Sequence, residues 1–294
     1  MTLTGEMTVE RIVQHLKLDG YCIIPEVIPY DQVGAIRDSL EATALGQGRL
    51  HGLDVKIAEQ PPPHPIAGDP HTYGYGPTYG LLSLNQSFAP YLADERIVRT
   101  LKAFWGPYVR ITWIKGELTT PGFQRGGWHA DQPFNQKGTL RVFAPYGDAV
   151  IHLSSVWMFS DFTEENGGTL VVPGSHRASN NPTGGNGIDA MSPYPTEKQA
   201  IGRAGDVLLF DSRTWHAAGA NTTDQPRIAI AVRYAPWWFN LDYLMPPDSP
   251  EKQRLAEEVG LSVEELRGGE ATLPPDIFKA LPTQVKPLLR HWVR

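Results

Sequence analysis

The sequence predicts a mainly β protein whose core is an antiparallel sandwich or barrel. Between about residues 105 and 236, short segments rich in apolar, β-branched and aromatic residues recur, separated by Gly, Pro and Asn turns. Few helical patterns come between these segments, which argues against a parallel sheet with crossover helices. The chain also carries 29 glycines and 26 prolines among 294 residues, which indicates many turns.

The elements follow from local patterns along the chain. The predicted strands are residues 21–25, 108–115, 150–160, 169–172, 207–210 and 227–234. The predicted helices are residues 8–16, residues 31–45 with Gly46 as the stop, and a C-terminal helix with Ser249 as N-cap and Pro250 in the first helical position. We expect residues 1–294 to form one domain, with a helical N-terminal part (1–50), a barrel core (about 105–236) and a helical tail (249–294).

Composition argues against several classes of protein. The net charge of −6 and the pI of about 5.8 speak against a nucleic-acid or anionic-membrane partner, which favours a clustered basic surface. The single cysteine, Cys22, provides neither a disulfide framework nor a thiolate metal cage. Because we find no apolar run of signal-peptide or membrane-spanning length, we expect a cytoplasmic protein.

Two histidines and one aspartate have a spacing that suits a metal site. His129 and Asp131 lie at i and i+2, so on an extended segment both side chains point to the same side. His216 follows the predicted strand 207–210, and a neighbouring antiparallel strand can bring it to the same point. Two histidines and one carboxylate on one face form the facial triad of non-haem iron(II) oxygenases, which leaves coordination positions open.

Arg227 opens the last predicted strand of the core. Strand alternation places it on one face with Ala229 and Ala231, and it places Ile228, Ile230 and Val232 on the other face. Small alanines beside an inward arginine leave room for an anionic group, and a guanidinium matches a carboxylate bidentately. The competing interpretation is an ordinary salt bridge to Asp206, Asp211 or Asp224.

Four motifs in this order resemble the phytanoyl-CoA dioxygenase family, whose members are iron(II)- and 2-oxoglutarate-dependent oxygenases. They are His129-Ala-Asp131 and residues 163–177, 205–211 and 216–227, and the N-terminal residues 18–28 are also similar. The resemblance covers about residues 15–30 and 108–236. It implies a double-stranded β-helix, a cupin-like jelly roll of eight strands, with flanking helices, so that the single domain is an oxygenase domain.

The resemblance also implies cofactors and roles. Fe(2+) would be held by His129, Asp131 and His216, and these residues would form the catalytic centre with O2. Arg227 would bind the distal carboxylate of 2-oxoglutarate, and Thr169 would offer that cosubstrate a hydroxyl. Ala218 stands where some relatives have serine. Asp131 argues against the halogenase branch of these enzymes, in which a small residue frees a metal position for halide.

Two other functions compete with an oxygenase of this kind. A metal-cupin dioxygenase or isomerase that does not use 2-oxoglutarate would have no need of Arg227, and a non-catalytic β-barrel binding module would have no need of the triad. Within the oxygenase hypothesis, hydroxylation, desaturation, epimerisation and endoperoxide formation all remain open, because each begins with abstraction of a hydrogen atom.

Aromatic residues are expected to line the barrel mouth. They are Tyr73, Tyr75 and Tyr79 in a Pro/Gly-rich loop, Trp128 and Phe134 beside the triad, and Trp237, Trp238 and Phe239 after the last strand. Such walls suit a small, hydrophobic or ring-containing metabolite, as in the secondary metabolism of specialised compounds, rather than an acyl-CoA with its phosphate charges. The alternative is that these rings pack the terminal segments onto the barrel.

Overall fold

The computed structural model describes most of the predicted core. The described residues are 6–50, 80–131, 147–178, 182, 187–241, 248–259, 262–263, 266–267 and 270–293. The strands are β1 Tyr21–Ile24, β2 Val109–Thr119, β3 Leu153–Met158, β4 Leu170–Val171, β5 Lys198–Gln199, β6 Val207–Asp211, β7 His216–Ala217, β8 Arg227–Pro236, β9 Leu266–Arg267 and β10 Glu270–Ala271. The α-helices are α1 Val9–Leu18, α2 Val33–Leu50, α3 Leu81–Leu84, α4 Glu95–Trp105, α5 Pro250–Val259, α6 Pro275–Ala280 and α7 Lys286–Leu289.

Two antiparallel sheets form the body of the core. The larger sheet has five strands in the order β1-β6-β3-β8-β2, and the smaller has three in the order β5-β4-β7. An isolated antiparallel bridge between His129 and His216 extends the smaller sheet beyond β7. Sequence neighbours are rarely sheet neighbours, so residues far apart in the chain meet across the strands.

The larger sheet is apolar on both faces, and each face packs against something different. Its inner face contributes Val156, Leu208 and Ala229 to a cluster that also contains Val171 of the smaller sheet. Its outer face contributes residues such as Ile230 to the main cluster shared with the helices. Burial of apolar surface is the dominant favourable contribution to the free energy of folding. Because side chains alternate along β8, the residues packed under the helices stabilise the fold, and the residues between them point to the inner face.

Helices α1 and α4 cover the outer face of the larger sheet. Ile12 and Leu16 of α1 are fully buried there, four residues apart on one helical face. Asp94 caps α4 by accepting hydrogen bonds from the backbone N–H groups of Arg96 (2.9 Å) and Ile97 (3.2 Å). Capping and apolar packing together fix the helix against the sheet.

A tight turn after β3 supports the loop that follows β7. Asn166 holds the turn by accepting from the Thr163 backbone N–H (2.9 Å). Gly167 has a φ of +82°, and a Cβ there would lie 2.5 Å from the carbonyl oxygen of Gly219. Glycine is therefore required, since it alone permits both the conformation and the close approach. The turn therefore packs closely against the loop after β7 at Gly219, three residues after His216.

Several predicted boundaries need correction. Helix α2 does not stop at Gly46 but continues to Leu50, because glycine inside a helix costs only about 1 kcal/mol and keeps its N–H donor. Strand β2 continues past residue 115 to Thr119, and β3 is shorter than predicted. Helices α3 and α4 were not predicted. The cap at Ser249 is confirmed, since its hydroxyl accepts from the Lys252 N–H at 3.2 Å.

No helix in the described part of the chain has both the length and the apolar character needed to cross a bilayer. The Pro/Gly-rich segment that carries Tyr73, Tyr75 and Tyr79 lies outside the described residues, as does Phe134.

Candidate active site

His129 and His216 meet through their backbones. The His129 N–H donates to the His216 carbonyl (3.0 Å), and the His216 N–H donates to the His129 carbonyl (2.9 Å). The Asp131 N–H donates to the carbonyl of Ser212 at 2.8 Å, which ties the backbone of this segment to the turn between β6 and β7. This antiparallel pairing brings the distal histidine to the i, i+2 pair. His216 lies within a strand of its own, β7, rather than in a loop after β6.

The three side chains converge. Asp131 Oδ1 lies 3.7 Å from His216 Nε2 and 4.0 Å from His129 Nε2. One ligand atom from each residue falls within 4.8 Å of the others, and these residues form the metal-capable group found among the described residues. The arrangement offers two imidazole nitrogens and one carboxylate oxygen to a single point.

The donor set fits a divalent metal ion. His129 Nδ1 lies 3.0 Å from the Gly127 carbonyl, and His216 Nδ1 lies 2.9 Å from the Thr214 carbonyl. Because a carbonyl only accepts, each Nδ1 carries a proton, and Nε2 is the ring nitrogen left to face Asp131. An Nε2 atom from each ring and a carboxylate oxygen of Asp131 are the ligand atoms that a divalent cation of this kind binds.

Asp131 is held ionised by its surroundings. Its Oδ1 accepts a hydrogen bond from Arg233 Nη2 at 2.6 Å, and its Oδ2 accepts from Ser154 Oγ at 2.7 Å. Burial alone would raise the pKa of Asp131, but the charge of Arg233, with smaller effects from both histidines and Ser154, holds that pKa well below its usual range. Burial lowers the pKa of His216 to about 4, so its ring is neutral near pH 7.

A chain of buried polar groups supports Asp131 from behind. Ser154 Oγ hydrogen-bonds Ser212 Oγ at 2.8 Å, and Ser212 Oγ hydrogen-bonds His152 Nδ1 at 2.6 Å. His152 Nε2 in turn lies 3.4 Å from Thr112 Oγ1, at a point where the register of β2 against β8 shifts by one residue. Such bulges recur beside active sites, where they redirect side chains. Burial lowers the pKa of His152 to about 3.

Arg227 lies on the inner face of β8, as predicted, and is only 1% exposed. Its Nη2 donates to Thr119 Oγ1 at 2.7 Å, and its guanidinium stacks 4.2 Å from the Phe162 ring centroid. Two of the acids considered as partners bind elsewhere. Asp206 accepts from Tyr30 Oη (3.1 Å), and Asp211 pairs with Arg213 (2.7 Å).

Thr169 lies immediately before β4, in the sheet that holds His216. It is buried, and its carbonyl accepts from the Ala200 N–H at 2.7 Å. The hydroxyl that contacts Arg227 belongs to Thr119, its cross-strand partner on β2. The sequence pattern could have identified Thr119, because alternate residues of a strand share one face, and Thr119 follows Lys115 and Glu117 at intervals of two.

The aromatic candidates divide into two groups. Trp128 is buried in a cluster with Leu170 and Trp215, and its Nε1 donates to the Ser192 carbonyl at 2.9 Å, a placement that favours packing over substrate contact. Trp237 and Trp238 are 63% and 56% exposed and follow the end of β8 that carries Arg233. Large exposed aromatics at the triad end of the strand suit a substrate rim.

The triad is open on one side. The His129 side chain is 44% exposed, whereas those of His216 and Asp131 are 9% and 8% exposed. A ligand therefore reaches the site past His129, while the protein shields the other two side chains from water.

Sequence reasoning missed two supporting residues. Ser154 was not singled out, because a serine inside an apolar strand has no distinctive motif. Arg233 was not given a role of its own, although it shares the inner face of β8 and contacts Asp131. Its position two residues after Ala231 could have shown that Arg233 lies on the same face of the strand as Arg227.

Comparisons with known proteins agree with this geometry. A family model described as phytanoyl-CoA dioxygenase (PhyH) matches residues 16–229. A curated relative, Dioxygenase af480 of Aspergillus fumigatus, is 25% identical over 291 residues, which is 98% of this chain and 79% of the relative.

Solved structures show the same fold. HygX of Streptomyces hygroscopicus, with nickel, 2-oxoglutarate and hygromycin B bound, gives a TM-score of 0.54 at 20% identity, covering 78% of this chain and 87% of its own. The α-ketoglutarate-dependent epimerase SnoN from nogalamycin biosynthesis gives 0.52 at 21% identity, covering 78% and 83%. These likenesses confirm the predicted double-stranded β-helix with flanking helices.

Proposed function

The chain belongs to the phytanoyl-CoA dioxygenase family, and we propose that it is an iron(II)- and 2-oxoglutarate-dependent oxygenase that oxidises a C–H bond of a small metabolite, with release of succinate and CO2. The observation that carries this proposal is the convergence of His129, Asp131 and His216, with Arg227 on the inner face of the larger sheet, which packs against the smaller sheet that holds His216. A metal-cupin enzyme that does not use 2-oxoglutarate would need the three metal ligands but not Arg227.

Each residue has a role. The metal would be held by His129 Nε2, His216 Nε2 and Asp131 Oδ1, and the distal carboxylate of 2-oxoglutarate by Arg227. Bound iron(II) with 2-oxoglutarate supplies the activation of dioxygen that C–H oxidation requires. We also propose that the Thr169 hydroxyl contacts the cosubstrate. Thr119 orients the Arg227 guanidinium by accepting a hydrogen bond from Arg227 Nη2 at 2.7 Å.

The protein supplies preorganisation. The carbonyls of Gly127 and Thr214 engage Nδ1 of the two histidines, so each ring presents Nε2 for ligation. Arg233 and Ser154 keep Asp131 ionised and fixed in orientation. Ala229 and Ala231 leave room between Arg227 and the triad. Shielding of His216 and Asp131 excludes water from two sides, and substrate enters past the exposed edge of His129.

The proposed substrate is a free, hydrophobic or ring-containing molecule. Trp237 and Trp238 are exposed at the triad end of β8, and the Phe239 ring lies 5.3 Å from the His152 ring. The structural relatives HygX and SnoN were crystallised with hygromycin B and nogalamycin RO, respectively, which supports a metabolite of specialised metabolism. The net charge of −6 speaks against coenzyme A. We also propose that residues 1–294 form a single oxygenase domain and that the protein is located in the cytoplasm.

Two measurements test the function. Anaerobic titration of the protein with iron(II) and then 2-oxoglutarate should produce the visible charge-transfer band that these two ligands give when bound together. A metabolite screen should then find succinate release that depends on a ring-containing compound. Metal binding without any 2-oxoglutarate band, or turnover of a metabolite without 2-oxoglutarate, would instead favour the cosubstrate-independent cupin enzyme.

A further inference from the structure

Arg233 lies at the opposite end of the inner face of β8 from Arg227. The two residues are six positions apart, a separation of about 20 Å along an extended strand, and Ala229 and Ala231 stand between them. On the neighbouring strands, Arg233 pairs in register with Ser154 of β3 and Trp113 of β2. Its guanidinium stacks 3.9 Å from the Trp113 ring centroid, which fixes its plane beside the triad.

Arg233 has donors to spare. Its hydrogen bond among the described residues is the one from Nη2 to Asp131 Oδ1, and its Nε is buried without a partner there. A guanidinium carries five N–H donors in a fork that matches a carboxylate. A buried donor without an acceptor is unfavourable, because it has lost its hydrogen bond to water and gained none. The side chain is therefore built to take a second acceptor beside the metal site.

The charges of the proposed site leave one positive charge in excess. On the proposed function, a divalent iron ion and the dianion 2-oxoglutarate cancel, and the charge of Asp131, which is ion-paired with Arg233, offsets only one of the two guanidinium groups of Arg227 and Arg233. Lys115 and Glu117 share the inner face of β2, where burial lowers the pKa of Lys115 and the charge of Glu117 opposes that effect, so this pair offsets itself. The excess positive charge lies on the inner face of β8, where the Arg233 side chain is 14% exposed.

We propose that Arg233 recognises the primary substrate by binding a carboxylate group of that substrate. This contact would hold the substrate beside the metal site, with the C–H bond that is oxidised close to the metal. This inference rests on the proposed function and narrows its substrate class to ring-containing acids. The cosubstrate is the less suitable partner, because one of its carboxylates is assigned to Arg227 and the other to the metal. A substrate carboxylate balances the remaining charge, while its rings meet Trp237 and Trp238.

The test uses the full chain loaded with zinc(II) and 2-oxoglutarate, which cannot turn over. Aromatic carboxylates, 3-phenylpropionate and 1-naphthylacetate among them, are each compared with the matching carboxamide by saturation-transfer NMR. Because a hydrogen bond to a charged group is worth roughly 1.5–3 kcal/mol, wild-type protein should prefer carboxylates by about tenfold or more. Arg233→Met should abolish that preference, and Arg233→Lys should retain part of it.

Controls separate this idea from its alternatives. Arg203→Met removes an arginine that also stacks on an aromatic ring (Tyr30, 3.9 Å) but lies outside the site, and it should leave the preference intact. Zinc content and 2-oxoglutarate affinity of both Arg233 variants are measured in parallel. If the variants lose 2-oxoglutarate as severely as Arg227→Ala, Arg233 is a cosubstrate residue and the proposal is wrong.

Two further results would overturn it: equal binding of carboxylates and carboxamides by wild-type protein, or no binding of any carboxylate. Should Arg233→Met fail to fold, Arg233→Lys and Arg233→Gln decide: a partly retained preference with lysine and a lost preference with glutamine support the proposal, and an equal preference in both variants overturns it. Failure of the proposed function is read independently, by the absence of the iron and 2-oxoglutarate absorption band in wild-type protein.

Discussion

Ser154 donates its hydroxyl hydrogen to Asp131 Oδ2 at 2.7 Å and thereby leaves Oδ1 as the carboxylate oxygen that faces both histidines. The neighbouring residue, Ser155, points to the other face of β3, where its Oγ donates to the Val232 carbonyl (3.1 Å) and accepts from Trp157 Nε1 (2.9 Å). Adjacent serines on one strand thus serve the site and the core separately, which provides a matched pair of variants.

Ser154→Ala should weaken metal binding. Without the hydroxyl, Asp131 loses the contact that fixes its orientation, and loss of such supporting hydrogen bonds typically costs 10- to 100-fold in metal affinity. Ser155→Ala should lower the free energy of unfolding by about 1 kcal/mol and leave metal affinity unchanged. Isothermal titration with zinc(II) or cobalt(II), together with urea denaturation, measures both effects. Equal loss of metal affinity in the two variants would show that the effect is not specific to Asp131.

The three triad residues should differ in their effect on stability. Alanine at His129, Asp131 or His216 should in each case abolish stoichiometric iron binding. Only Asp131→Ala should also destabilise the metal-free fold substantially, by about 3 kcal/mol, because it leaves the Arg233 guanidinium without its carboxylate. Metal analysis and chemical denaturation in the presence of a chelator check the two parts. Retention of iron in any of the variants would remove that residue from the proposed ligand set.

Arg227→Ala should raise the apparent constant for 2-oxoglutarate by on the order of a hundredfold, since the cosubstrate loses a buried ionic partner worth roughly 3–5 kcal/mol. Lysine should rescue only in part, because it lacks the planar fork. Thr119→Val keeps the shape but removes the acceptor of Arg227 Nη2, so a rise of about three- to tenfold is expected. Titration of the iron-dependent absorption band measures each constant, and an unchanged constant in the alanine variant would assign the cosubstrate to another residue.

The metal-free protein should lose stability as the pH falls from about 6.5 toward 4. Burial lowers the pKa of His152 to about 3 and that of His216 to about 4, so in this window the unfolded chain binds protons that the folded protein excludes. Stability therefore rises with pH, by about 1.4 kcal/mol per pH unit for each such histidine. Urea denaturation between pH 4.5 and 7 with a chelator measures the slope.

His152→Gln should reduce that slope by the share of one histidine. A matched variant, His15→Gln, replaces a partly exposed histidine on α1 and measures what a change from histidine to glutamine does outside this buried network. A slope that is identical in wild-type protein and His152→Gln would mean that His152 does not exclude its proton in the folded state.

Local patterns were enough to predict the elements that depend on nearest neighbours. The i, i+2 spacing of His129 and Asp131 and the alternation along β8 follow from strand geometry alone, and the structure has both. The same reasoning misjudged Gly46, because a glycine costs a helix only about 1 kcal/mol and does not by itself end it.

Contacts between distant strands could not be predicted in the same way. The support of Asp131 by Ser154 and Arg233 depends on the strand order β6-β3-β8, which places three remote segments side by side. The one-residue register shift in β2 near Thr112 is likewise set by its partner strand and has no local motif. The family resemblance supplied the site because it carries information on strand pairing that residue patterns lack.

The alternation along β8 makes the strand suitable for protein engineering. Ile228, Ile230 and Val232 belong to the main apolar cluster, whereas positions 229, 231 and 233 face the site. A library that varies position 231 would sample new substrate shapes while leaving the contacts of β8 with the main apolar cluster and the Arg233–Asp131 ion pair intact. Selection on such a library would change specificity at a position outside the main apolar cluster, because alternate residues of this strand face the core and the site.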